Sequence, residues 1–331
     1  VHPQPDPLPT TEGDASAVPE NVRACVTSLR RAAGEELLGV IFFGSQLLRT
    51  SPDRHSAADL FVLVEDHRAL YVGLREQALV RRRPGLLRAL NQLLSPNVLW
   101  LRQKGDDGPG CKCFVMLLDD FEHAMSSRAR DHFCKGRLTQ QVKIVFSKDE
   151  ATSTRIGRSL ELARRDSLGW VPSYLPLSFT VADYCLRMLE VSFANEIRPE
   201  TRDRVRVVCE AQREYLSTAY RAVLEQAGPA MGVARQGDGF VRLSSAVTSP
   251  RRMYFRVSRL RATLRWLKYM LTYEDWLDYV VHKVHRRTGL ELTISNAERR
   301  LPLLLLWPKF FRVLGALRET PRVDHKPEFR A

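Results

Sequence analysis

The sequence predicts an α+β protein: a small mixed-sheet domain, then a mainly helical domain, then a basic helical C-terminal region. Three observations lead there. Before about residue 150, short runs rich in Val, Ile, Leu and Phe alternate with helical patterns, the layout of a sheet with helices packed on it. From residue 153 the apolar residues recur at helical steps instead. After residue 250 the charge shifts, with 18 basic and 8 acidic residues in the remainder.

Taken in order, residues 1–20 are rich in Pro, Asp, Glu and Ser, read as a disordered tail without the basic-then-apolar layout of a signal peptide. Asn21–Gly39 reads as a helix, with Val22, Val26, Leu29, Leu37 and Leu38 as its apolar positions. "GVIFF" from Gly39 and "DLFVLV" from Asp59 read as buried strands. Leu70–Leu94 is Arg-rich and helical, Asn97–Gln103 is a third strand, and "GDDGPG" at Gly105–Gly110 is a turn. Cys111–Asp119 is a fourth strand, a helix follows to about Arg130, and Gln141–Asp149 is a fifth strand. Residues 21–152 thus form the first domain. Residues 153–250 form the second, with helices over Arg155–Arg165, Val181–Phe193 and Arg204–Ala227. There Gly237–Ser245 has the look of a short strand or wing, which makes the domain winged-helix-like. Residues 251–331 are the basic amphipathic region.

The chain has 331 residues and a net charge of +13, and 42 of its 51 basic residues are Arg. Such a balance points to an anionic partner: nucleic acid, an acidic membrane surface or a phosphorylated substrate. The six cysteines are scattered, no pair has the spacing of a zinc site, and they read as buried thiols in a reducing compartment. The longest apolar run, Leu301–Trp307, is seven residues and contains Pro302, too short to span a bilayer.

The chemistry gathers where the first strand ends in Gly44-Ser45 and the next opens on one acid, Asp59. Glycine lets a backbone approach a phosphate, a serine hydroxyl and the following N–H groups hold its oxygens, and a carboxylate on the adjacent strand can hold Mg²⁺ against them. This pairing resembles the nucleotidyltransferase fold, whose usual second acid is missing here because Ala57 and Phe61 flank Asp59. Four further stretches extend the likeness: "HFCKGRLTQQVKIV" (His132–Val145), "CKCFVMLL" with Lys112, "LEVSFANEIRPE" (Leu189–Glu200), and "RVRVVCEAQREYLSTAY" after it. In order and spacing these resemble the mitochondrial translocator assembly and maintenance family, CTP-dependent CDP-diacylglycerol synthases. The likeness covers roughly Gly39 to Tyr220, with a looser match in the Arg-rich stretch after Val247. Gln141 stands where that family has proline. A single acid at the strand start is usual in the family.

The resemblance implies a phosphatidate cytidylyltransferase: a phosphatidate oxygen attacks the α-phosphorus of CTP, and pyrophosphate leaves. Phosphatidate is already an anion, so catalysis rests on charge neutralisation and in-line positioning. Asp59 is the expected Mg²⁺ ligand and Glu196 a second catalytic acid, against a structural pair with Arg198. Gly44 and Ser45 are expected to hold phosphates, with Lys112, Arg137, Lys143 and Arg198 on the nucleotide or lipid phosphate. Lys112 could instead merely reach solvent, and Arg137 and Lys143 could line a solvated edge. Asp66 lies roughly 20 Å from Asp59 along an extended strand, so it reads as a helix cap; His55 and Ser56 read equally as turn residues or substrate contacts. A nucleotidyltransferase for another acceptor (an RNA end or a small molecule) and a silent lipid- or nucleotide-binding module are the alternatives. No specific nucleic acid is expected, because no aromatic-and-basic sheet motif for RNA is visible.

In the C-terminal region Met253, Val257, Leu260, Leu264, Leu267 and Leu271 form one helical stripe, with Arg252, Arg256, Arg259 and Lys268 on other faces. The plain reading packs the stripe on the core; the sharper one makes the helix a phosphate-holding surface. Ser295 and Glu298 have capping-box spacing. Trp307, Phe310 and Phe311 among Arg299, Arg300, Lys309 and Arg312 have an interfacial composition. Together these predict a peripheral protein on the cytoplasmic side of a membrane, or the matrix side in a mitochondrion.

Overall fold

A computed structural model describes residues 18–49, 57–102, 110–195, 201–243 and 249–272, and beyond them 277, 281, 291–295, 297–298 and 308–309. Glu196, Arg198, His55, Ser56, the turn at 105–109, the tail to residue 17 and most of the interfacial stretch lie outside these residues. The chain divides into two compact units, Val1–Thr272 and Tyr273–Ala331.

The first unit is α+β and opens with α1 (Glu20–Ala33) and β1 (Leu37–Phe43). Leu37 and Leu38, expected at the end of the first helix, are strand residues: Gly34 at φ 56° stops the helix, and a short 3-10 turn over Gly34–Glu36 redirects the chain. Next come β2 (Ala58–Val64), α2 (His67–Glu76), α3 (Pro84–Leu93), β3 (Asn97–Leu101), β4 (Cys111–Leu117), α4 (Leu118–Met125), α5 (Phe133–Leu138) and β5 (Lys143–Ser147). The single helix expected over Leu70–Leu94 is therefore two, because Pro84 cannot continue a helix and instead begins one. Asp66 caps α2 as expected, its carboxylate accepting from the Arg68 N–H at 3.1 Å.

The strands form one mixed sheet in the order β3-β4-β2-β1-β5, with β2 and β4 parallel and the other pairs antiparallel. One face packs on α1 and α2 through Leu29, Val40, Phe42, Leu60, Val62, Leu70 and Leu74. Gly73 lets these two helices touch, for a Cβ there would meet the Ala32 carbonyl oxygen at 2.0 Å. The other face carries Phe43, Phe61 and Phe114 in mutual ring contact, with Phe114 also meeting Phe133 of α5.

The helical half follows as α6 (Glu150–Asp166), α7 (Val181–Ala194), α8 (Arg202–Glu210) and α9 (Arg213–Gln226), the last two replacing one expected helix. A second sheet joins β6 (Ser178–Phe179), β8 (Gly239–Arg242) and β7 (Val233–Gln236), and its hairpin covers part of the stretch read as a strand or wing. Their shared core holds Trp170, Tyr184, Met188, Leu189, Tyr220 and Phe240. All six cysteines are free, five of them buried.

The final helix of this unit, α10 (Ser249–Thr272), corrects the expectation for its apolar stripe. Met253, Val257, Leu260, Leu264, Leu267 and Leu271 are 40–61% exposed, while Phe255, Ser258, Ala262, Arg265, Lys268 and Thr272 are buried. Specific partners invert the usual order. Arg265 and Arg261 reach Asp131, and the Lys268 ammonium donates to the carbonyls of Leu94, Pro96 and Leu90, where α3 ends. Orphan carbonyls at a helix C-terminus attract a cation. In the second unit, Ser295 and Glu298 form the expected reciprocal cap, and Lys309 pairs with Glu298 at 2.7 Å.

Candidate active site

The site forms where β1 ends. Phe43 lies opposite Asp59 in the antiparallel β1–β2 pair, and the next residue, Gly44, has φ 85°, a conformation costly for any residue with a side chain. The space a side chain would fill is taken by the acid: a Cβ on Gly44 would lie 2.8 Å from Asp59 Oδ2. Beyond it the chain makes a tight turn, the Leu48 N–H donating to the Gly44 carbonyl at 3.2 Å. Half-buried Ser45 begins that turn. A turn of this kind aims its leading N–H groups back at the strand end.

Two cations flank the acid. The parallel β2–β4 register sets Lys112 beside Asp59. Arg137 approaches from α5, its guanidinium 4.0 Å from the centre of the Phe133 ring and its Nη1 donating to the Phe133 carbonyl at 3.0 Å. Phe61 and Phe114, two residues beyond Asp59 and Lys112, share their face and give the site an aromatic floor. Among the described residues no hydrogen bond or ion pair reaches the Asp59 carboxyl group. Burial pushes that group up from its ordinary value, and the charges of Lys112 and Arg137 oppose the shift without cancelling it.

Asp59, Gly44, Ser45, Lys112 and Arg137 are thus brought together from three strands and a helix. Lys143 is not in phase with them. It opens β5 opposite Phe42, whose side chain belongs to the core under α1, so its register position is on the face opposite Asp59. Elsewhere in the same segment, Lys135 is buried in an ion pair with Asp166 at 2.5 Å, a structural contact. His132 is held neutral: burial, with the charge of Lys135, lowers it to about 3. Its Nε2 lies 3.0 Å from Ser192 Oγ, tying the His132–Val145 segment to the Leu189–Glu200 segment. Phe133 went unrecognised in the sequence, although an aromatic residue four before an arginine on a helix is a visible signal.

A divalent cation can be tested against these residues. Mg²⁺ keeps several waters and takes one or two carboxylates plus substrate phosphates. Asp59, facing the space that glycine leaves at position 44, supplies one such oxygen donor. Among the described residues no group of three acidic, histidine or cysteine side chains is gathered. A single carboxylate fits an ion that keeps waters or ligand oxygens in its other positions. No family model matches the chain, and no curated protein matches its sequence.

Proposed function

We propose that the chain is a nucleotidyltransferase that moves the cytidylyl group of CTP onto the phosphate of phosphatidate at a membrane surface. The observation that carries this reading is the packing of a glycine with left-handed backbone against a half-buried carboxyl group that no hydrogen bond reaches among the described residues, flanked by Lys112 and Arg137. An acid in an aromatic-floored site, with two cations near but not bonded to it, suits ligand oxygens standing between them. The β-sheet order, with the turn at the end of β1, supports a nucleotidyltransferase-like domain; α7–α9 with the β7–β8 hairpin support a winged-helix-like second one.

In this reading the Gly44–Ser45 turn and Arg137 hold the triphosphate, and Lys112 offsets charge on the oxygens around the α-phosphorus. Asp59 would hold Mg²⁺, which neutralises phosphate charge when bound. The phosphatidate oxygen forms the new bond to the α-phosphorus as the bond to the β-phosphate oxygen breaks, so pyrophosphate carries away the electron pair. Glu196 and Arg198 complete the proposal as a second acid and a phosphate contact. The membrane is met through the basic, apolar region after residue 250. Among the described residues no helix is long and apolar enough to cross a bilayer, so contact at the surface is the form this reading takes.

Labelled CTP with phosphatidate and Mg²⁺ is expected to yield a CDP-lipid with the wild-type chain. Pyrophosphate released without a lipid product would replace the acceptor. No release with any nucleoside triphosphate would leave only a binding module.

A further inference from the structure

The outward stripe of α10 does not stand alone. A pocket of about 510 Å³ opens beside it between α7, α8 and α10, lined by Arg187, Arg202, Arg252, Arg256 and Arg259 against one carboxylate, Glu190. Glu190 pairs with Arg187 at 2.8 Å, and Arg259 donates to the Asn195 side-chain oxygen at 3.0 Å. Among the described residues Arg202, Arg252 and Arg256 meet no carboxylate. Among the described residues five guanidiniums line this pocket against one acid, a balance that suits an anion, and Arg suits phosphate oxygens geometrically. At 100° per residue, Arg252, Arg256 and Arg259 run along one flank of the stripe. The exposed apolar residues Met253 to Leu271 extend about 27 Å along the helix at 1.5 Å per residue.

We propose that this pocket and the adjoining stripe are one docking surface for an acidic phospholipid bilayer, with a lipid phosphate among the arginines and the stripe in the acyl boundary. A long helix with an apolar face and cations along its edge is the composition of an interfacial helix. A second copy of the chain is the weaker occupant, because each copy carries +13 and would bring the same arginines with it. The inference deepens the membrane part of the transfer reading by naming the contacting face, and its test omits CTP, so that failed docking and failed catalysis are separate results.

The full chain is floated with phosphatidylcholine vesicles and with the same vesicles containing phosphatidylglycerol. Binding is expected only to the acidic vesicles and to weaken as salt rises. Arg252→Gln/Arg256→Gln, at two exposed positions, is expected to weaken partitioning roughly thirtyfold, about 1 kcal/mol for each lost charge. Leu260→Ser/Leu264→Ser is expected to abolish it. Circular dichroism melts keep folding separate from docking. The proposal is overturned if the arginine variant binds acidic vesicles like the wild type. It is equally overturned if the leucine variant changes only the sedimenting mass, or if the arginines govern RNA binding while vesicles are ignored.

Discussion

Two places in the first unit gather one acid and two cations, and the two carboxyl groups move in opposite directions. Asp131 accepts from Arg261 Nε at 2.6 Å, Arg265 Nη2 at 2.8 Å and the Phe133 N–H at 3.1 Å. Burial alone would raise it, but those guanidiniums outweigh burial and hold it below the ordinary carboxylate range. Asp59 has cations of the same number nearby, yet burial prevails and it is raised. Asp131 faces two arginines and Asp59 a lysine and an arginine, and what separates them is that hydrogen bonds reach Asp131 while none among the described residues reaches the Asp59 carboxyl group. The closed cluster fixes α10 to the sheet domain; the acid without such bonds among the described residues is the one that the proposed reading assigns to a ligand.

The sharpest way to break this comparison is Asp59→Asn. Transfer activity is expected to fall on the order of a thousandfold, as when a transition-state contact is lost, while the protein melts at a higher temperature than wild type. The sign follows from linkage. A raised folded-state value means the folded chain binds more protons than the unfolded one above the ordinary carboxylate value, so wild type loses stability there as pH rises. The melting advantage of the variant is therefore largest at neutral pH and vanishes below about pH 4. An unchanged rate would remove the metal assignment.

Asp131→Asn should do the reverse, costing about 3–5 kcal/mol because buried Arg265 and half-buried Arg261 lose their counter-charge. A urea titration reads this directly, and activity should follow the folded fraction. Here the carboxyl group is lowered, so its contribution is present above the ordinary value and is lost as acid is added through the folded value. A smaller effect is expected of Gly44→Ala, about 1–2 kcal/mol from the left-handed backbone. Its added carbon also displaces the Asp59 carboxyl group, which should reduce activity about a hundredfold. If the two losses were equally small, the cradle would be incidental.

What was legible in the sequence follows from how local each signal is. Gly44 and Asp59 could be paired because two strands joined by a short connection must lie side by side, and the sheet register does bring them together. The stripe on α10 was legible as a period but not as a direction. Periodicity identifies a face; it does not say that Asp131, 130 and 134 residues away from its partners Arg261 and Arg265, will draw the polar face inward. The five-arginine pocket was hidden for the same reason, since α7, α8 and α10 each contribute arginines that look like solvated surface within their own segment. Lys135 misleads in the other direction. It stands inside the segment that carries the resemblance, two residues before Arg137, but the α5 geometry sends it to Asp166 while Arg137 reaches the site. Lys143 stands one step of register off the Asp59 face.

Arg137 offers the finest division between the two clusters, because its charge and its shape can be separated. Arg137→Lys preserves a cation near Asp59 but loses the planar group held against Phe133 at 4.0 Å. Were the residue only a source of positive potential, turnover would be nearly unchanged. Were its planar donors aligned on phosphate oxygens, turnover would drop about tenfold, the size of one well-placed hydrogen bond to a charged group. The KM for CTP should rise with it, since a ground-state phosphate contact is lost too. The melting temperature should barely move, because the Asp131 cluster that anchors α10 does not use this side chain. A fall in stability as large as that of Asp131→Asn would instead class Arg137 with the closed cluster and leave Asp59 with Lys112 alone.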